Sequence, residues 1–167
     1  MRPLTRLLAL STAALALAVP ASSQDLRFEG WGPRLGVADD PDQVVVGAFF
    51  DLGDLLPHLR LLPSLELGLG DDHTTLTATL PVHYIFPVDW GDFQPYAGGG
   101  LLLAWIDRDE PAQGQRGTAA DDDDFELAPV AVAGIEYRTP ADRVVSLELH
   151  LGGGDAFDAR LLAGLRF

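Results

Sequence analysis

The sequence predicts an all-β chain, an eight-stranded antiparallel up-and-down barrel, and three observations carry the prediction. Beyond residue 24 apolar residues recur with period two, the period of a strand, and not 3.6. Eight such runs are separated by clusters of Gly, Pro and Asp, the residues that turn a chain. Most runs approach the roughly 9 to 11 residues that a tilted membrane strand needs.

The chain begins "MRPLTRLLALSTAALALAVPASSQD". Arg2 and Arg6 precede an apolar run from Leu7 to Val19, and small residues follow. That is the three-part plan of a secretory signal peptide. Cleavage falls after Ala21 or after Ser23. The run is about 13 residues, short of the roughly 20 of a spanning helix. The expected division is therefore an export signal over 1–23 and one barrel domain over 24–167.

The runs lie at 31–38, 43–53, 59–70, 74–87, 93–107, 124–138, 143–152 and 157–167. The fourth shows the alternation best. Leu76, Ala78, Leu80, Val82, Tyr84 and Phe86 share one face, and Thr75, Thr77, Thr79, Pro81 and His83 the other. The third sets Leu59, Leu61, Leu65, Leu67 and Leu69 against Arg60, Ser64, Glu66, Gly68 and Gly70. The sixth sets Ala131, Ala133, Ile135 and Tyr137 against Val130, Val132, Gly134 and Glu136. The seventh sets Val145, Leu147, Leu149 and Leu151 against Val144, Ser146, Glu148 and His150. The last sets Leu161, Ala163, Leu165 and Phe167 against Arg160, Leu162, Gly164 and Arg166. The fifth, "FQPYAGGGLLLAWID", is too apolar and Gly-rich to phase, and the first two runs alternate less clearly than the others.

Composition excludes several functions. The 167 residues carry 11 basic and 25 acidic side chains, a formal charge of −14, and every basic residue is Arg. Nucleic acid would repel such a chain. With no Cys, disulfides, thiol catalysis and Cys-ligated metals are out together.

Alternation alone does not say which face is inside. Four features turn the Leu face outward, to lipid, and make the barrel transmembrane. The polar face is rich in Gly and Thr with scattered Arg, Glu and His, which suits a cramped interior of ion pairs. Trp31, Tyr84, Phe86, Trp90, Phe93, Trp105, Phe125, Tyr137, Phe157 and Phe167 gather near strand ends, like interfacial girdles. The export signal gives access to an outer membrane. Phe167 ends the chain in phase with the apolar face.

The terminal "ARLLAGLRF", the export signal and the eight runs together resemble the small bacterial outer-membrane barrels of the OmpA, OmpX and OmpW type. "QPYAGGGLLLAW" (Gln94 to Trp105) is similar to the Pro-Tyr-x-Gly-x-Gly strand of porin-like barrel domains. The resemblance implies that Ala159, Leu161, Ala163, Leu165 and Phe167 form the sorting signal read by the barrel-assembly machinery. It also implies both termini in the periplasm. Connections at 39–42, 71–73, 108–123 and 153–156 would then face outward, and turns at 54–58, 88–92 and 139–142 inward. The longest connection falls on the outer side, as the resemblance expects.

On this phasing Arg34, Arg60, Glu66, His83, Glu126, Glu136, Arg138, Glu148, His150, Arg160 and Arg166 point into the lumen. Eight strands enclose a bore just wide enough to be filled by side chains. Buried charges must pair. A plug of ion pairs is therefore preferred to a narrow proton or ion path. The core of the expected network is Glu66, His83, Glu136, Glu148, His150, Arg160 and Arg166, with Glu148 and His150 paired to Glu136 and Arg160 or Arg166.

"SLELH" puts Ser146, Glu148 and His150 on one face, but the acid stands between Ser and His. A triad needs His in the middle. No catalytic role, cofactor or metal site is expected. The acidic stretches (Asp39, Asp40 and Asp42; Asp71 and Asp72; Asp107, Asp109 and Glu110; Asp121 to Asp124; Asp155) read as a solvated rim that could loosely bridge divalent cations to lipopolysaccharide. They lack the spacing of a calcium loop.

The functional expectation is a monomeric outer-membrane barrel with a structural, surface-contact or narrow-passage role and no wide pore. Its expected partners are outer-membrane lipid and lipopolysaccharide. One alternative is a membrane-embedded lipid hydrolase or acyltransferase, which needs outward Ser and His. The other is a soluble periplasmic lipocalin-like barrel, which needs the opposite phasing.

Overall fold

The computed structural model describes residues 26–39, 42–71, 73–108 and 124–167. The expected export signal, Asp40, Pro41, Asp72 and most of the longest connection lie outside them. Ten strands form: β1 (Gly30–Asp39), β2 (Gln43–Asp51), β3 (Asp54–Leu56), β4 (Leu59–Leu61), β5 (Ser64–Leu69), β6 (His73–Ile85), β7 (Phe93–Arg108), β8 (Asp124–Arg138), β9 (Val144–Leu151) and β10 (Ala159–Arg166). They make eight staves, because two pairs are halves of one strand.

β2 and β3 are joined by a bulge. Leu52 N donates to Leu61 O, and Leu61 N donates to Gly53 O, so one residue is extra on the β2 side. Gly53 takes it up at φ 79, where a side chain would be strained, and its N–H donates to Asp51 Oδ1 at 2.9 Å. The sequence places an inward turn at 54–58. The strand instead runs on through Leu56, and the turn is only Pro57–His58. β4 and β5 keep one register on β6, with Arg60 opposite His83 and Ser64 opposite Thr79. Pro63 interrupts them.

The sheet closes on itself. Around the barrel the order is β1, β2, β5, β6, β7, β8, β9, β10 and back to β1, each neighbour antiparallel. Closure gives every stave two partners and removes the edges that would otherwise expose backbone polar groups. The long β7 and β8 pair from Phe93↔Tyr137 to Ile106↔Asp124.

Burial alternates along the strands and fixes their phases. β9 reads buried–exposed without exception from Val144 to Leu151. β1 turns Gly30, Gly32 and Arg34 inward and Trp31, Pro33 and Leu35 outward. β2 turns Gln43, Val45, Phe49 and Asp51 inward. In β7, Leu102, Ala104 and Ile106 are buried while Leu101, Leu103 and Trp105 are exposed.

The interior is two-sided. Leu102, Ala104 and Ile106 of β7 and Ala128, Val130 and Val132 of β8 form an apolar wall. Opposite it, β1, β2, β5, β9 and β10 supply charges. The outside is the inverse of a soluble surface: Leu35, Leu65, Leu80, Leu101, Leu127 and Leu147 all lie about half exposed.

Candidate functional site

The ionic interior is the candidate site. Period-two geometry puts Arg34, Glu66, Glu148, His150 and Arg160 on the inner face of their strands, where the bore forces them together. In the upper cluster Arg34 donates to Glu66 Oε1 at 3.0 Å and to Glu148 Oε1 at 3.1 Å. Arg160 donates to Glu66 Oε2 at 2.7 Å, and the Thr77 hydroxyl donates to the same oxygen at 3.1 Å. His150 Nε2 meets Glu148 Oε2 at 3.0 Å, and His150 is 0% exposed. Two rings lie under the cations: Phe49 lies 4.7 Å from the Arg34 guanidinium and Phe157 3.8 Å from that of Arg160.

Nearer the inner end a second cluster closes a ring of four. Arg60 Nη1 donates to both oxygens of Glu136, at 3.1 and 3.0 Å. Its Nε is 3.8 Å from Asp51 Oδ2. Arg166 pairs with Asp51 and lies 3.7 Å from Glu136. His83 stacks on Tyr96 beside this ring, with centroids 4.7 Å apart.

Each cluster holds two guanidinium groups and two carboxylates, so these four formal charges cancel. That balance matters because an uncompensated buried charge is costly, while a paired, hydrogen-bonded one is tolerated. The arrangement braces the staves across the bore. It offers no nucleophile: Ser146 donates to Glu148 at 3.4 Å, and Glu148 separates it from His150.

The expected network residues are therefore all inside, but not in the expected pairs. Glu148 binds Arg34, not Arg160 or Arg166. Arg160 binds Glu66. Glu136 does meet Arg166, with Arg60 the closer partner. Arg138 departs from the expectation: it lies beyond the rim, exposed, and pairs with Asp142 at 2.7 Å. Its parity is inward, but the strand ends before the wall can cover it. Glu126 is half-buried at the outer mouth, where its Oε2 accepts from Asp155 N at 2.7 Å. Asp51, 0% exposed, was not among the expected lumen charges, because it lies in the second run, whose alternation is unclear.

Phe157 also departs from the expectation. Read as a girdle aromatic, it is 0% exposed and sits inside the barrel. Gly152, Gly153 and Gly154 have φ of 77, 137 and 63, a path open to glycine, and they turn the last outer connection into the mouth. Ala156 and Phe157 then pack with Leu162 and Ile106 and stopper the outer end. A single-cysteine test is clean in a chain without Cys. Thr75→Cys, fully buried opposite Ile106 at the level of the stopper, is expected to resist a small water-soluble thiol reagent, and Phe157→Ala to make it react readily. Equal labelling rates with and without Phe157 would show that the ring does not seal the mouth.

At the inner end the terminal residues stand together. Phe167 lies 6.2 Å from Trp31, its ring under the Arg143 guanidinium at 5.0 Å. Leu161 and Ala163 face outward with it, and Ala159 and Leu165 are partly exposed. Trp105 and Phe125 are register partners at the opposite, outer end.

No protein-family model and no curated protein sequence matches the chain. Solved structures do. Neisserial surface protein A (NspA) is similar with a TM-score of 0.59 at 14% identity, over 82% of this chain and 93% of that one. The N-terminal β-barrel domain of Pseudomonas aeruginosa OprF is similar with a TM-score of 0.52 at 17% identity, over 83% and 93%. At such identities what is shared is the fold. The chain has the closed, eight-stranded antiparallel fold of the small outer-membrane β-barrels.

Proposed function

We propose that the chain spans a bacterial outer membrane as a monomeric barrel with no wide pore, and serves membrane integrity or surface contact. One observation carries this reading: a band of exposed apolar side chains, mostly Leu and Val, surrounds an interior of balanced ion-pair clusters. In water that band would be a very large exposed apolar patch. In lipid it is the solvated face, and closure satisfies the backbone where no water can. The filled bore supports a structural role over conduction.

The surrounding partners follow from the same arrangement. Acyl chains meet the Leu face, and aromatic girdles meet the interfaces. Asp39, Asp42, Asp71 and Asp107 lie at the outer end, where divalent cations could join them to lipopolysaccharide phosphates. The in-phase face ending on Phe167 is the surface offered to the assembly machinery. The reading is non-enzymatic, since among the described residues the Ser146, Glu148 and His150 set is buried inside with its acid in the middle.

The test is gel mobility of the protein from isolated outer membranes, with and without boiling in detergent. A faster band that shifts on boiling, found in the membrane fraction, is expected of a detergent-resistant barrel. A soluble periplasmic protein with no shift would overturn the reading.

A further inference from the structure

The hydrogen-bond ladder between β4–β5 and β6 lacks one bond at Pro81. In an antiparallel pair, opposed residues of the bonded kind exchange two hydrogen bonds. Leu62 N donates to Pro81 O at 3.3 Å, but Pro81 has no N–H to return. On the other side of the same strand, Phe50 N donates to Pro63 O at 2.9 Å, and Pro63 likewise returns nothing. The carbonyls of Leu62 and Phe50 thus lose their ladder bonds at neighbouring points. A third proline shows what repair looks like. Phe86, opposite Pro95, loses the same bond but accepts from Val88 N at 2.8 Å. No such donor reaches Leu62 or Phe50 among the described residues.

Two further observations fall at the same place. On the inner face of β6, on either side of Pro81, stand Thr79 and His83. Both are buried, and Thr79 Oγ1 and His83 Nε2 have no hydrogen-bond partner among the described residues. Across the next strand, Pro81 is opposite Gly100 and His83 opposite Gly98, so β7 meets β6 there with backbone alone, and its Tyr96 stacks on His83. Unmet acceptors, an unmet hydroxyl and an unmet ring nitrogen coincide. Several polar partners around one spot are what a bound water requires.

We propose that Pro81 creates a water-binding site in the barrel wall, where water is held by the Thr79 hydroxyl, the Leu62 carbonyl and the His83 imidazole. Water from the interior side replaces the ladder bond that proline removes. This rests on the membrane reading in one respect: in hydrocarbon, no bulk solvent can satisfy the Leu62 carbonyl from outside.

The experiment is solution NMR of the full chain refolded in micelles, with mobility on unboiled gels reporting the fold. Long-lived water contacts are expected at the Leu62 amide and at Thr79. In Pro81→Ala the restored N–H should abolish the contact at Leu62 and slow exchange of its amide about tenfold, the effect of one regained hydrogen bond. Thr79→Val keeps both prolines and should weaken the water contacts while leaving the gel shift in place. A folded wild-type barrel without these contacts, or contacts unchanged in both variants, overturns the site alone. A chain that does not fold in micelles overturns the membrane reading with it.

Discussion

Replacing Glu66 by Ala is expected to cost the barrel about 3–5 kcal/mol, the range for removing one partner of a buried ion pair. Glu66 accepts from Arg34 at 3.0 Å, from Arg160 at 2.7 Å and from Thr77 at 3.1 Å. Both arginines are almost wholly buried. After the substitution Arg34 keeps Glu148 and the Phe49 ring, and Arg160 keeps a 3.3 Å bond to the Thr77 hydroxyl and the Phe157 ring. The upper cluster then carries two cations and one carboxylate in a bore with no room to rearrange. Urea unfolding of the refolded barrel in lipid vesicles reads the loss. Glu66→Ala with Arg160→Ala should recover a part of it, because the second change removes the stranded charge, and this non-additivity is the signature of a direct pair. A loss below about 1 kcal/mol would mean that the interior is wet enough to solvate Arg160, and the idea of a dry ionic brace would fall.

Replacing Leu80 by Arg is expected to cost about 2–4 kcal/mol in a bilayer, the depth-dependent penalty for a cation on the lipid face near the midplane. Leu80 is 51% exposed and central in β6, which runs from His73 to Ile85. The control is Val88→Arg, just past the inner end of the same strand and also exposed, where the penalty falls to about 0–1 kcal/mol. The contrast decides the facing. A protein that meets water on its outer face would tolerate both substitutions alike, since surface changes stay within about 0.5 kcal/mol.

Much of the fold was legible because strand phase is local. Side chains alternate with each residue whatever lies across the bore, so β5, β6, β9 and β10 could be phased from their own residues. β7 could not, since its inward Leu102, Ala104 and Ile106 are as apolar as its outward Leu101, Leu103 and Trp105. Only against the apolar wall of β8 does that strand have an inner face. The site was legible as a set and not as a set of pairs. Arg34, Glu66, Glu148 and Arg160 all carry the right parity, but their partners follow from strand stagger.

The misplaced residues have equally physical causes. Arg138 has inward parity and too little strand beyond it to be covered. Phe157 sits at a strand end like a girdle aromatic, yet three glycines with positive φ fold it into the mouth. Asp51 belongs to a run whose Val45, Gly47 and Phe49 are as apolar as their outward neighbours, so its inner face shows only once β1 and β5 flank it.

The sequence by itself determined the number of staves, the face each phased strand shows to the outside, and the sign of the interior as polar and charged. Those follow from period two and from turn residues, which act over a few positions. Only the tertiary structure decided that the charges sort into two balanced clusters, that Phe157 closes the outer mouth, and that Pro81 leaves the Leu62 carbonyl without its ladder bond between the third and fourth staves. Each of these depends on which residues closure brings opposite one another, and closure fixes tilt and stagger for all eight staves at once.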